Sequence, residues 1–102
     1  QAALRETPDI TAVFAMADVI AIGAIRAVVD AGLRVPEDVS VIGYDGLKIG
    51  GFYTPQLSTI SQSAQLLAQE GFRVLQDALR GAPARHLSVP FSLFQRESVQ
   101  KL

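Results

Sequence analysis

The chain has 102 residues, a formal net charge of −1, 49% hydrophobic and 19% charged side chains, and no cysteine. That composition supports a packed core and excludes a disordered chain, a disulfide framework and a thiolate metal site. Lys and Arg are scattered singly, so no basic stripe can neutralise a row of phosphates, and nucleic-acid binding by this segment itself is excluded.

No run approaches the roughly 18 apolar residues that a membrane-spanning helix needs. The opening Gln1-Ala2-Ala3-Leu4-Arg5-Glu6 has no initiator Met and no apolar secretion stretch, and a piece of a longer chain is expected.

Ile10-Thr11-Ala12-Val13-Phe14-Ala15-Met16 is a short, β-branched apolar run that predicts a strand buried on both faces, as in a parallel sheet. Asp18 opens a helix reaching about Ala31, where an acidic group in the first turn can accept backbone N–H bonds and favours the helix dipole. Gly32 suits the position after the helix, and Pro36 prevents its resumption. At 100° per residue, Asp18, Arg26 and Asp30 occupy roughly a third of the circumference, with Val19, Ile20, Ile22, Ile25, Val28 and Val29 covering most of the rest. A helix with its back to water needs less apolar surface. The second face is covered either by another element of a larger domain or by a second subunit, and the subunit interface is the favoured reading.

Val39 to Tyr44 reads as a second strand, closed by the turn dipeptide Asp45-Gly46, which completes a βαβ unit. Residues 48 to 56, with Gly50, Gly51 and Pro55, predict an irregular loop, and Ser58-Thr59-Ile60 a short strand or crossover. A second, amphipathic helix is expected from Gln62 to about Arg80, ended by Gly81 and Pro83. His86 to Phe94 reads as a last strand interrupted by Pro90, followed by a polar tail from Gln95. The elements make an α/β chain, a parallel sheet flanked by helices.

No catalytic grouping emerges. His86 reads as a strand-end histidine, no Ser lies in a G-x-S-x-G turn, and Asp45 has no His or Cys nearby to share a metal. Glu37 and Asp38 fit a capping role, and Gly43-Tyr44-Asp45-Gly46 is not a dinucleotide fingerprint. An enzyme, a metal and a cofactor are therefore not expected. What remains is positional: Asp18 and Asp45 both follow the carboxyl ends of strands, and open parallel sheets bind ligands at that edge. Two readings stay open, ligand contacts or a helix cap and a turn.

Taken together, these segments resemble the LacI/GalR family of transcription repressors. Thr11-Ala12-Val13-Phe14-Ala15-Met16-Ala17-Asp18, followed by Ala21-Ile22-Gly23-Ala24-Ile25-Arg26, is similar to that family's AVFAxND…AxGAxR strand and helix. The stretch from Ala31 to Asp45 resembles its AGxxVPxDVSVVGFDD signature, the stretch from Pro55 to Gln62 its PPLTT[IV]xQ, and Arg96-Glu97-Ser98 its closing xRxS. The resemblance covers nearly the whole chain in order.

It implies the C-terminal part of an effector-binding domain with a type I periplasmic-binding-protein-like fold. In the family a small molecule, often a sugar or related metabolite, binds between two lobes and changes operator affinity. Residues 1–60 and 86–102 would belong to the C-terminal lobe and residues 61–85 to the N-terminal lobe. Asp45 matches the family's ligand-binding aspartate, Asp18 the aspartate of its ND pair, and Ala17 replaces the asparagine, removing an amide from the expected pocket wall. Gly46 stands where the family has a second aspartate. Gln62 would face the cleft; Tyr44 and Phe14 would either wall the pocket or pack in the core. The implied homodimer would use Val19, Ile20, Ile22, Ile25, Val29 and Tyr53. Operator DNA would be read only through a missing N-terminal helix-turn-helix, with no membrane involvement, in the cytoplasm. The alternative is a fragment of a periplasmic sugar-binding protein of a transport system, which shares the two-lobed fold; the VPEDVSVIGYD stretch and the Arg-Glu-Ser ending favour the repressor.

Overall fold

A computed structural model of the chain describes residues 2–101. Residues Gln62–Ser92 cluster as one compact unit and the remaining described residues as another. Residues 86–92, expected with the first group, thus cluster with the second helix.

In the first unit a short helix α1 (Ala2–Glu6) leads to β1 (Ala12–Phe14) and then α2 (Asp18–Asp30). Ala21, Ile25 and Val28 recur at helical spacing on one face of α2 and are buried, as are Ala15, Val39, Val41 and Leu57. Leu4, Val13, Ile22 and Tyr53 pack around this core. The helix ends through two bonds, Gly32 N–H to Val29 O at 2.9 Å and Leu33 N–H to Val28 O at 3.1 Å, with Gly32 at φ 81°. A glycine takes that left-handed conformation without a Cβ clash.

The loop after α2 is closed by Arg34 and Asp38. The backbone N–H of Arg34 donates to Asp38 Oδ2 at 2.8 Å, and the Arg34 Nε to the same oxygen at 3.0 Å. The Arg34 guanidinium, aided by its backbone N–H, holds the Asp38 carboxyl below its ordinary value. A lowered carboxyl favours the folded state at neutral pH, and the benefit disappears only as pH falls through the lowered value. The pair faces solvent, so its stability contribution is small. A side-chain carboxyl ¹³C titration should place Asp38 below the ordinary aspartate value, and Arg34→Ala should raise it.

β2 (Ser40–Asp45) pairs parallel with β1 in the register Val13 to Val41, and parallel with β3 (Ser58–Gln62) in the register Gly43 to Thr59. The sheet runs β1-β2-β3-β4, with β4 spanning Phe91–Phe94. β1 lies at the end of that order, and Phe14 is 61% exposed, which corrects the expectation of a strand buried on both faces. It has a neighbour on one side and helix α2 on one face. The expected loop at residues 48–56 contains a turn of helix, α3 (Ile49–Phe52), despite its two glycines. The expected last strand is shorter, pairing only beyond Pro90.

The segment expected to be a polar tail is a clamp. Ser98 is fully buried; its hydroxyl donates to Val41 O at 2.5 Å and accepts from Ser58 N–H at 2.8 Å. Val41 N–H donates to Ser98 O at 2.8 Å, Arg96 N–H to Ser58 Oγ at 2.8 Å, and Gln56 N–H to Glu97 Oε1 at 2.9 Å. Arg96-Glu97-Ser98 therefore ties β2 and the start of β3 together.

In the second unit α4 (Ala64–Leu79) starts at Ser63, whose hydroxyl accepts from Leu66 N–H at 3.1 Å, as an N-cap serine does. The helix has no buried residue, and Leu67, Phe72, Leu75 and Leu79 are exposed. Arg85 pairs with Asp77 at 2.8 Å beyond its end. Among the described residues, no helix is long and apolar enough to cross a membrane, and no cluster of His, Asp or Glu could hold a metal ion.

Candidate functional site

The carboxyl ends of β1 and β2 bring Ala17, Asp18, Tyr44 and Asp45 to one edge of the first unit's sheet, with α2 starting there. At this edge the two aspartates have opposite environments.

Asp18 is completely buried. Ala17 is the N-cap of α2 and makes no side-chain cap. The Asp18 carboxylate does not cap its own helix either. Its Oδ2 accepts from Leu47 N–H at 2.7 Å and its Oδ1 from the Thr59 hydroxyl at 2.6 Å. Gly43 makes the room: a Cβ there would collide with Asp18 Oδ1 and lie 3.1 Å from Leu57 Cδ2 and 3.2 Å from Ala21 Cβ. The carboxylate thus joins the start of α2 to β3 and to the loop after β2.

Asp45 is exposed and has φ 127°, a backbone conformation that residues with a Cβ rarely adopt. Gly46 follows at φ 77°, pressed against β3, where an added Cβ would lie 2.9 Å from the Ser61 Cα. A side chain at position 46 would need β3 to shift. Gly46 N–H donates to Thr59 Oγ1 at 3.3 Å. An exposed carboxylate on a strained, tightly held turn can accept hydrogen bonds from hydroxyl or amine donors of a small molecule.

Tyr44 is half-buried in β2, and Gln62 is the half-buried last residue of β3 and the first of the second unit; both residues have interactions of their own. Thr59 and the Leu47 amide were not singled out from the sequence. A hydroxyl in a buried strand, in register with a glycine, is the signal that could have found Thr59.

Of the expected interface residues, Val19, Ile20 and Val29 are 62%, 55% and 51% exposed. Ile25 is 1% exposed and packs in the chain's own core, so it leaves the group. Ile22 and Tyr53 are half-buried against that core.

Residues 1–99 match the family of the periplasmic binding protein-like domain. The chain is 44% identical over 91 residues to the HTH-type transcriptional repressor PurR of Pectobacterium carotovorum, covering 87% of this chain and 27% of that protein. A structure of the lac repressor dimer bound to operator and the anti-inducer ONPF superposes with a TM-score of 0.87 at 37% identity, over 98% of this chain and 35% of that one. A complex of the transcriptional regulator CelR with cellobiose gives 0.86 at 35% identity, over 93% of this chain and 30% of that one. The chain therefore spans about a third of the length of these relatives. With its parallel sheet, its edge aspartates and this match over nearly all of its length, the chain belongs to the periplasmic binding protein-like domain family and is similar to LacI-type transcription regulators.

Proposed function

We propose that the chain is the C-terminal, effector-binding portion of a ligand-responsive transcription regulator, a binding module and not an enzyme. The observation that carries this reading is Asp45: an exposed carboxylate at φ 127°, at the carboxyl edge of a parallel sheet. Support for the regulatory role comes from the relatives, because PurR is a transcriptional repressor, the lac repressor structure holds operator and an anti-inducer, and the CelR structure holds cellobiose. The effector is accordingly a sugar or related small metabolite, without cofactor or metal. Asp45 contacts it, with Ala17, Tyr44 and Gln62 as further wall residues and Asp18 behind them.

In this reading residues 1–61 and 93–102 belong to one lobe of the domain and 62–92 to the other. The exposed residues Val19, Ile20 and Val29, with Ile22 and Tyr53 at their margin, meet a second copy. A separate helix-turn-helix reads the operator, inside the cytoplasm. Effector binding favours the lobe arrangement with which it makes more contacts, and that shifts operator affinity.

In the intact regulator, Asp45→Asn should weaken effector binding by about 1.5–3 kcal/mol, the contribution of a hydrogen bond to a charged group, with the far-ultraviolet circular dichroism unchanged. The readout is operator release against effector concentration. An unshifted response curve would remove Asp45 from the site.

A further inference from the structure

We infer that Asp18 and Thr59 are positioning residues for Asp45, a buried pair that fixes the backbone carrying the ligand-contacting carboxylate. The inference rests on the reading of Asp45 given above and assigns a task to two residues that take no part in that contact.

Residue 45 has a Cβ and yet sits at φ 127°. Left to itself, such a residue relaxes to negative φ, and it stays put only where its surroundings hold it. What holds it follows at once in the chain. The next two backbone amides are both tied: Gly46 N–H to Thr59 Oγ1 at 3.3 Å, and Leu47 N–H to Asp18 Oδ2 at 2.7 Å. One hydroxyl links them. Thr59 Oγ1 gives its proton to Asp18 Oδ1 at 2.6 Å, which leaves its lone pairs to accept from Gly46.

The pair is anchored on two rigid elements, because Asp18 is in the first turn of α2 and Thr59 is in β3, and both are fully buried. A turn that only had to join β2 to α3 needs no such device. Glycine at position 45 would adopt the same φ without strain, and no carboxylate would have to be taken out of water. Helix capping does not explain Asp18, since its oxygens are engaged across the sheet edge. A turn held before the ligand arrives loses less freedom on binding.

The test compares Thr59→Val, which keeps the shape and loses the hydroxyl, with Thr59→Ser, which keeps the hydroxyl. Amide hydrogen exchange of the full chain is followed by NMR, with the Val41 amide, bonded to Ser98 O, as the gauge of general opening of the sheet. In Thr59→Val the Gly46 and Leu47 amides should exchange about tenfold faster than the Val41 change accounts for, and Thr59→Ser should restore them. Acceleration only in step with Val41 overturns the inference. This arm needs no ligand, so it stands or falls apart from the function. In the intact regulator, a panel of neutral mono- and disaccharides is then titrated against wild type, Thr59→Val and Asp45→Asn. Parallel weakening in both variants supports the assignment. Weakening in Asp45→Asn alone overturns the positioning role, and unchanged affinity in Asp45→Asn overturns the reading of Asp45 itself.

Discussion

Replacing Leu57 with alanine is expected to lower the unfolding free energy by about 3 kcal/mol. Leu57 is fully buried where β3 begins. Its Cδ2 faces Gly43 on β2 and its Cβ faces Gly50 on α3, filling space that neither glycine can reach. Backbone atoms line the resulting hole on both sides. They relax less readily than side chains, so most of the cavity persists. For a chain of this size a loss of that order lowers the melting temperature by roughly 15 °C. Urea unfolding followed by circular dichroism measures it; a loss below about 1 kcal/mol would show that the site collapses freely.

Ser98→Ala is expected to cost about 2 kcal/mol although it deletes one oxygen atom. The Ser98 hydroxyl bridges Ser58 N–H and Val41 O in a place closed to water. Alanine leaves the Ser58 N–H buried without an acceptor, and that desolvation dominates the cost. In the same unfolding experiment, Ser88→Ala, on an exposed segment, serves as the comparison. Equal stability of the two variants would mean that water replaces the hydroxyl and that the clamp contributes little.

Local signals made α2 and β2 legible. The apolar run from Val19 to Val29, Gly32 and Pro36 bracket a helix that ends within a residue of the expected position. The Asp45-Gly46 dipeptide marks the end of β2 in the same way. The ending from Arg96 to Ser98 was illegible as a clamp, because its partners lie some 40 to 57 residues away in sequence and a run of polar side chains reads as solvated. The turn of α3 was hidden by Gly50 and Gly51, which argue against a helix locally. They are tolerated because the bare backbone lets Leu57 and Arg96 approach closely. β1 misled in the other direction: its apolar run promised two buried faces, and position at the end of the sheet left Phe14 open.

At the site, the sequence placed Asp18 and Asp45 at one sheet edge, and the strand register agrees. It could not separate them, since both are single aspartates after apolar strands. The difference lies in Gly43 and Thr59, one leaving a gap and the other supplying a hydroxyl. Both act from strands whose pairing is set by the tertiary fold. The apolar positions of α2 form one continuous face in the sequence pattern, whereas the structure divides them: Ile25 turns inward and Val19, Ile20 and Val29 remain outside.

A crystal structure of the intact regulator with its effector bound decides whether Asp45 holds the ligand. An Asp45 carboxylate oxygen is expected within about 3 Å of a hydroxyl or amine of the effector, at the carboxyl edge of β1 and β2. An effector bound elsewhere, with the Asp45 carboxylate left to solvent, would contradict it.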